Sequence, residues 1–381
     1  MNICKHFGDC GGCRLQDIPY KEQLATKEKS IAELAFVSDL DTQIKPINSF
    51  EPYYYRNKME FSFANQDGLV CGLYSSKDKG KVVDIKECLI FSPDTGSILS
   101  AIRDFLKSKK YSVYNKYSHK GFLRNLIIRE TKFTKELMIG LVTTSEEELD
   151  KDKFIEVILS LKLASRIKSI FWIINNSFSD AVIFEEKRLL YGETFIKEEL
   201  DNLTFKIGID TFFQVNPKMV QGFYKKIRDY VKLTGKEEVL DLFCGVGSIG
   251  LFLAKDAKII WGVEVIEEIV DIAKQNAKIN NIDNISFFTS DARKFLNIEG
   301  APSDNIDLLI LNPPRGGLSN KIIRAVLRLR PKSILYSSCN PKALARDLKG
   351  LIAEYNLEFI EPFDFFPHTP HLECLSLLRT N

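Results

Sequence analysis

The stretch VLDLFCGVGSIG, residues 239 to 250, decides the fold. A short apolar run there enters Gly245-x-Gly247-x-x-Gly250 and then a helix-compatible segment. Glycines at this spacing let the backbone leave a strand sharply and approach a ligand closely. Nineteen residues after Gly245, at the end of the next predicted strand, stands Glu264, placed to accept hydrogen bonds from two ribose hydroxyls. Strand, turn, helix and acid in register predict a nucleoside site. The glycine pattern serves nicotinamide dinucleotides and S-adenosylmethionine alike, and without a ligand it is simply a tight strand-to-helix turn.

Around this stretch the rhythm is strand, helix, strand, helix, which predicts a doubly wound parallel sheet. Its strands are expected at 238–243, 258–264, 285–290, 306–312 and 333–338, with a last one near HLECLSLL. The fold class is therefore α/β, with a Rossmann-like domain over residues 206–381. Residues 44–205 read instead as short strands and turns, with Asp67-Gly68 as a hairpin turn and helical pieces near 94–109 and 145–161, which makes an α+β domain. Residues 1–43 hold a cysteine- and glycine-rich opening followed by an amphipathic helix from Tyr20 to about Phe36.

Composition narrows the class. The 381 residues are 45% hydrophobic and 27% charged, as expected for a soluble globular chain. No apolar run reaches the roughly 18 to 20 residues that span a bilayer, and the first residues lack a basic-then-apolar leader, so the expectation is a cytoplasmic protein without a membrane partner. Net charge is +2, so any affinity for nucleic acid must come from a local patch. Eight cysteines are too sparse for a disulfide scaffold, yet Cys4, Cys10 and Cys13 crowd into a C-x5-C-x2-C spacing that suggests metal or cluster ligation.

Four further segments carry chemistry. LILNPPRGG, residues 309–317, ends a predicted parallel strand, the edge where such sheets gather ligand contacts. Asn312 offers a donor and an acceptor there, the prolines stiffen the loop, and Arg315 brings a fixed charge. ILYSSCN puts Cys339 on the same edge, either as a packed thiol or as a nucleophile whose pKa is lowered by Arg315 and loop amides. In FDFFPHTPHLECLSLL, Glu373 interrupts an apolar run and is a candidate general base, with His368 and His371 read as orienting it, touching substrate, or serving structure alone. Cys244 and Cys374 lie in apolar patterns and read as core. Residues 103–132 interleave Arg103, Lys107, Lys109, Lys110, Lys116, Lys120, Arg124, Arg129 and Lys132 with Tyr111, Tyr114, Tyr117 and Phe122, which reads as a surface for phosphates and unpaired bases, or as a solvated basic face.

Taken together, NPPRGG followed by ILYSSCN, the tail FDFFPHTPHLE, and the opening CKHFGDCGGCRLQ resemble the RNA uracil-5-methyltransferases along nearly the whole chain. The resemblance implies an S-adenosylmethionine-dependent enzyme in which Cys339 is the nucleophile and Glu373 removes the C5 proton. It implies that Gln214, Phe243, Glu264, Asp291 and Asn312 bind S-adenosylmethionine, and that Cys4, Cys10, Cys13 and Cys88 ligate a 4Fe-4S cluster of structural or RNA-positioning use. By it, residues 1–43 are an iron-sulfur segment with its helix, 44–205 an RNA-binding domain that also supplies Cys88, and 206–381 the methyltransferase domain. The chain departs from the family pattern at Ala343, where a threonine is usual, and at Asn312, where an aspartate is common. The short form, in which the cluster motif starts at Cys4 with no barrel before it, is similar to enzymes acting on 23S ribosomal RNA at uracil 747. The CGGC motif is similar to the uracil-1939 type. The implied partner is RNA, 23S ribosomal RNA first and transfer RNA second, and the implied state is monomeric. A nicotinamide oxidoreductase and a non-catalytic RNA-binding protein are the rival classes. The first would need no Cys339 and Glu373 pair, and the second would tolerate loss of Cys339.

Overall fold

In the computed structural model, which describes residues 2–296 and 306–380, two large sheets and a hairpin organise the chain. Helix α1 (Tyr20–Val37) and the short strand β1 (Gln43–Ile44) come first. Strands β2 (Lys58–Asn65), β3 (Leu69–Tyr74) and β4 (Val82–Asp84), helix α2 (Thr95–Ser108), strands β5 (Leu123–Glu130) and β6 (Glu136–Thr143), helix α3 (Lys151–Leu159), and strands β7 (Arg166–Ile174) and β8 (Glu186–Gly192) follow. They form a seven-stranded sheet in the order β4-β3-β2-β5-β6-β7-β8, antiparallel except for the β6/β7 pair. Ile98, Leu99, Ile102, Phe105 and Leu106 recur at helical spacing on α2, and all are buried in one apolar cluster with Phe154 of α3. Hairpin β9 (Phe195–Leu200) and β10 (Leu203–Gly208) then packs its apolar face into a core shared with the second large sheet.

That second sheet is built from α4 (Pro217–Val231), β11 (Glu238–Leu242), α5 (Ser248–Leu253), β12 (Ile259–Glu264), α6 (Glu267–Ile279), β13 (Ile285–Thr289), α7 (Ala292–Phe295), β14 (Leu308–Leu311), α8 (Asn320–Leu329), β15 (Ser333–Ser338), α9 (Pro341–Leu351), β16 (Tyr355–Phe363) and β17 (Glu373–Thr380). Its order is β1-β16-β17-β15-β14-β11-β12-β13. Strands β11 to β15 are mutually parallel, and β17 runs antiparallel to both β15 and β16. The order reverses between β11 and β14, so the crevice for a nucleoside opens there, at the carboxyl ends of the strands. Leu308–Leu311 is buried at every position, as a central parallel strand covered on both faces requires.

Three features depart from the sequence reading. Strand β16 was not anticipated, because Pro362 inside it argues against a ladder. Strand β1 extends the same sheet by pairing Gln43 and Ile44 with Phe359 and Ile360. Helix α3 begins at Lys151 rather than 145, where the Asp150 carboxylate accepts from Lys153 N at 3.2 Å and caps it. Helix α1 docks on the second large sheet, where Ile31 and Ala35 share an apolar cluster with Leu344 and Ala345 of α9.

Candidate active site

Register brings Cys339 and Glu373 together. Strands β15 and β17 are antiparallel, with Ser337 opposite Leu375 and Ser338 opposite Cys374, so continuing the ladder by one step sets Cys339 opposite Glu373. The thiol is half-buried at the mouth, whereas the carboxyl is 2% exposed. Burial pushes the Glu373 carboxyl up to about 7, and a hydrogen bond from Ser337 Oγ to Oε1, at 2.5 Å, lowers it against that trend. The Cys339 thiol is also pushed up, first by burial and then by Glu373, and Arg315 only partly offsets this. The expected lowering of its pKa is therefore not met: burial outweighs the one nearby cation. Cys244 and Cys374 are buried among apolar neighbours, as expected.

Asn340 and Pro341 end β15 and begin α9. Asn340 is the N-cap, with Pro341 at the first position, where its missing N–H is harmless. The Asn340 amide also donates to Arg315 O at 2.9 Å, tying the thiol turn to the NPPRGG loop. That loop is held from beneath by Asp347, fully buried, which accepts from Leu318 N at 2.7 Å and from Tyr336 Oη at 2.6 Å. Gly317 has φ +74 and lies so close that a Cβ would stand 2.4 Å from an Asp347 oxygen, so no other residue fits. Arg315 is left at the surface with its Nη2 3.3 Å from His371 Nδ1.

The nucleoside crevice collects the remaining candidates. Phe243 and Gly247 both have positive φ in the turn after β11, while a Cβ at Gly245 would meet nothing within 4 Å, leaving an open cradle. Glu264 ends β12 and accepts from Val265 N at 2.7 Å, which fixes its carboxylate at the rim. Asp291 follows β13 and caps α7 by accepting from Lys294 N at 3.0 Å. Asn312 follows β14 on the opposite side of the reversal. Gln214 arrives from the chain before α4, and its carbonyl accepts from Asn57 Nδ2 at 2.8 Å. Beneath the crevice Asp241 is 1% exposed and raised to about 7 by burial, with neither carboxylate oxygen in a hydrogen bond, although the Gly250 amide lies close enough to lower it slightly.

Cys4, Cys10, Cys13 and Cys88 all line one small apolar cavity at the edge of the first large sheet. Gly12 N points at Cys10 Sγ at 3.4 Å, and Gln16 Nε2 at Cys13 Sγ at 3.5 Å. Burial pushes Cys88 up to about 12 and raises the other three thiols as well. Among the described residues, no three His, Cys, Asp or Glu side chains are grouped to hold a single metal ion.

The basic run of 103–132 does not form one surface. Arg103, Arg124, Arg129 and Lys132 are buried, as is Phe122. Arg103 pairs with Asp84, Arg124 donates to the carbonyls of Asn175, Ser177 and Ser179, and Lys132 pairs with Glu130. Arg129 donates to Gly208 O at 2.9 Å and to Thr211 O. Carboxylate or carbonyl partners account for all four, so the exposed remainder is chiefly Lys107, Lys109, Lys110 and Lys120.

Several residues that serve the site escaped the sequence reading. Ser337 holds Glu373. Asn57 and Arg129 hold the Gln214 segment. Lys27 of α1, 3% exposed, pairs with Asp364 at 2.7 Å, and Gln23 Nε2 lies 3.2 Å from His368 Nδ1. His368 is thus a buried anchor of the tail loop rather than a partner of Glu373. Nothing local in the sequence marks these supporting residues.

The crevice at the strand reversal, with a half-buried thiol and a buried carboxyl beside it, frames a candidate active site. The family model described as tRNA (Uracil-5-)-methyltransferase matches residues 19–381. The chain is 38% identical over 383 residues to an uncharacterised RNA methyltransferase of Clostridium tetani, covering 99% of this chain and 83% of that protein. It is 34% identical over 401 residues to one of Bacteroides thetaiotaomicron, covering 99% and 87%. Among solved structures it is similar to the Pyrococcus abyssi tRNA (uracil-54, C5)-methyltransferase in complex with S-adenosyl-L-homocysteine, with TM-score 0.79, 31% identity, and 97% of this chain and 86% of that one covered. The chain belongs to the tRNA (uracil-5-)-methyltransferase family and is an RNA methyltransferase.

Proposed function

We propose that this protein methylates C5 of a uracil in RNA with S-adenosylmethionine as methyl donor, Cys339 as nucleophile and Glu373 as base. One observation carries the reading: the half-buried Cys339 thiol follows the Ser338–Cys374 pair by one residue and lies under the charge of Glu373, a carboxyl raised to about 7. Gln214, Phe243, Glu264, Asp291 and Asn312 ring an open glycine cradle and fit the donor's nucleoside and amino-acid ends. When bound, the donor supplies an electrophilic methyl group on sulfonium sulfur.

Uracil C5 is too weak a nucleophile to react unaided. Cys339 thiolate adds to C6, and the electron pair of the C5–C6 bond moves towards O4, making C5 the nucleophilic carbon. Arg315 is a cation that lowers the thiol, so it stabilises the thiolate and the enolate charge. After methylation Glu373 takes the C5 proton. The C6–S bond then breaks, the C5–C6 double bond returns, and the thiolate is restored. The target base leaves its stack to reach a half-buried thiol.

Four thiols around one cavity, two of them facing amide N–H groups, fit a 4Fe-4S cluster held by Cys4, Cys10, Cys13 and Cys88. A single zinc ion, which holds thiolates at about 2.3 Å, is the alternative occupant of the same four cysteines. The RNA is ribosomal or transfer RNA: the cysteine spacing favours 23S ribosomal RNA, and the likeness to the Pyrococcus abyssi enzyme favours transfer RNA. We assign the enzyme to the cytoplasm as a monomer. Nucleoside mass spectrometry of both RNA classes from a deletion strain tests the activity: loss of 5-methyluridine at one position supports it, and unchanged 5-methyluridine overturns it. Colourless protein with bound zinc after anaerobic purification overturns the cluster.

A further inference from the structure

Three separate parts of the chain send arginines to the mouth of the site. Arg315 reaches His371 from the NPPRGG loop. Arg14 follows the cysteine-rich opening, where its backbone N–H donates to His368 O at 2.9 Å, three residues before His371. Arg56 stands between two residues that grip both halves of the site: Tyr55 Oη donates to Pro367 O at 3.1 Å, and Asn57 Nδ2 to Gln214 O. Burial lowers the His371 ring first, followed by the cations Arg315, Lys27, Arg14 and Arg56, and Arg56 acts on Cys13 and Cys88 as well. Lys27 is neutralised by Asp364 at 2.7 Å. None of the three arginines has a carboxylate within 4 Å among the described residues, although this chain pairs many of its surface cations. Arg14 is exposed and Arg56 partly so, and among the described residues the only side-chain hydrogen bond of Arg56 is a long one, 3.3 Å, from Nε to Lys58 O.

We propose that Arg14 and Arg56 form a phosphate clamp that grips the RNA backbone beside the flipped uridine, one from the cysteine-rich segment and one from the entry to the first large sheet. The inference rests on the RNA-methyltransferase reading and adds to it the groups that hold the strand. Arg315 is left to the thiol, and the two clamp arginines need no contact with the base. Unpaired guanidinium groups at the rim of a half-buried site match phosphate oxygens in charge and fork geometry. Each phosphate neutralised releases counterions, so each clamp residue contributes to the salt dependence of binding.

The test uses the full chain, a short uridine-rich RNA hairpin, and the variants Arg14→Gln, Arg56→Gln and both together. Each glutamine is expected to reduce the slope of log affinity against log salt by roughly 0.7 to 0.9 and to raise KM for RNA. The kcat at saturating RNA and the binding of S-adenosylhomocysteine stay unchanged, and lysine at either position restores the slope. An unchanged slope in the double variant overturns the clamp, as does a lysine variant that loses as much as glutamine, which would mark a structural role. Adduct formation with a 5-fluorouridine version of the hairpin, measured in parallel, separates the two claims. An adduct with an unchanged slope removes the clamp and keeps the chemistry, whereas slope loss in a protein that never forms an adduct keeps the clamp and removes the chemistry.

Discussion

At Glu373, burial and one hydrogen bond act in opposite directions. Burial raises the carboxyl to about 7, and Ser337 Oγ lowers it by donating to the charged form. Below about 7 the base is protonated and idle, so kcat rises with pH and levels off above that value. The thiol, raised above its ordinary value, keeps kcat/KM climbing further. Ser337→Ala removes the stabilising bond and is expected to move the lower limb of the kcat profile to higher pH by roughly one unit; a limb that does not move contradicts the assignment. A carboxyl raised on folding destabilises as pH rises from its unfolded value towards about 7. Glu373→Gln should therefore gain on the wild type in stability, read through Tm, as pH rises from about 4.5 to about 7, by up to about 3 kcal/mol. Cys339 and Glu373 were singled out in the sequence as a thiol closing an apolar run and a carboxylate inside one, and the fold sets them at the end of β15 and the start of β17. Ser337 was not, since its role exists only once β17 lies antiparallel to β15.

Among the elements, α1 has the least expected role. Its helical spacing was legible from Tyr20 onward, but the period alone places Lys27 no differently from any solvated lysine. In the fold Lys27 is buried against Asp364, which also accepts from Tyr20 Oη at 3.0 Å, and Gln23 binds both the ring and the backbone N–H of His368. The helix thereby pins the loop that leads to Glu373. Removing one partner leaves a buried charge, so Lys27→Met is expected to cost about 3–5 kcal/mol, read as a fall in Tm. The paired change Lys27→Met with Asp364→Leu should recover most of it, and a Tm unchanged in the single variant would show that the pair does not anchor the loop. The same partnership spans 337 positions of sequence, which no local pattern reports.

For the whole molecule, the question is how the two large sheets share one site. The Gln214 segment runs between them, held by Asn57 from the start of β2 and by Arg129 from the end of β5. Arg129 looked like part of a basic face because sequence counts charge and not burial. The strands of the parallel sheet, by contrast, were legible to within a residue or two because their apolar runs are short and bounded by polar or turn-forming residues. Asn57→Ala is expected to weaken S-adenosylmethionine binding by about tenfold, by calorimetry, through one lost hydrogen bond; unchanged affinity would mean that the first sheet does not shape the crevice. The central claim is the covalent one, and trapping with 5-fluorouridine RNA tests it most directly, because fluorine at C5 leaves Glu373 no proton to remove. Incubated with S-adenosylmethionine, the wild-type chain should shift by the mass of the methylated RNA on a denaturing gel and Cys339→Ala should not. A wild-type protein that stays free of RNA, or an alanine variant that is still trapped, would contradict it.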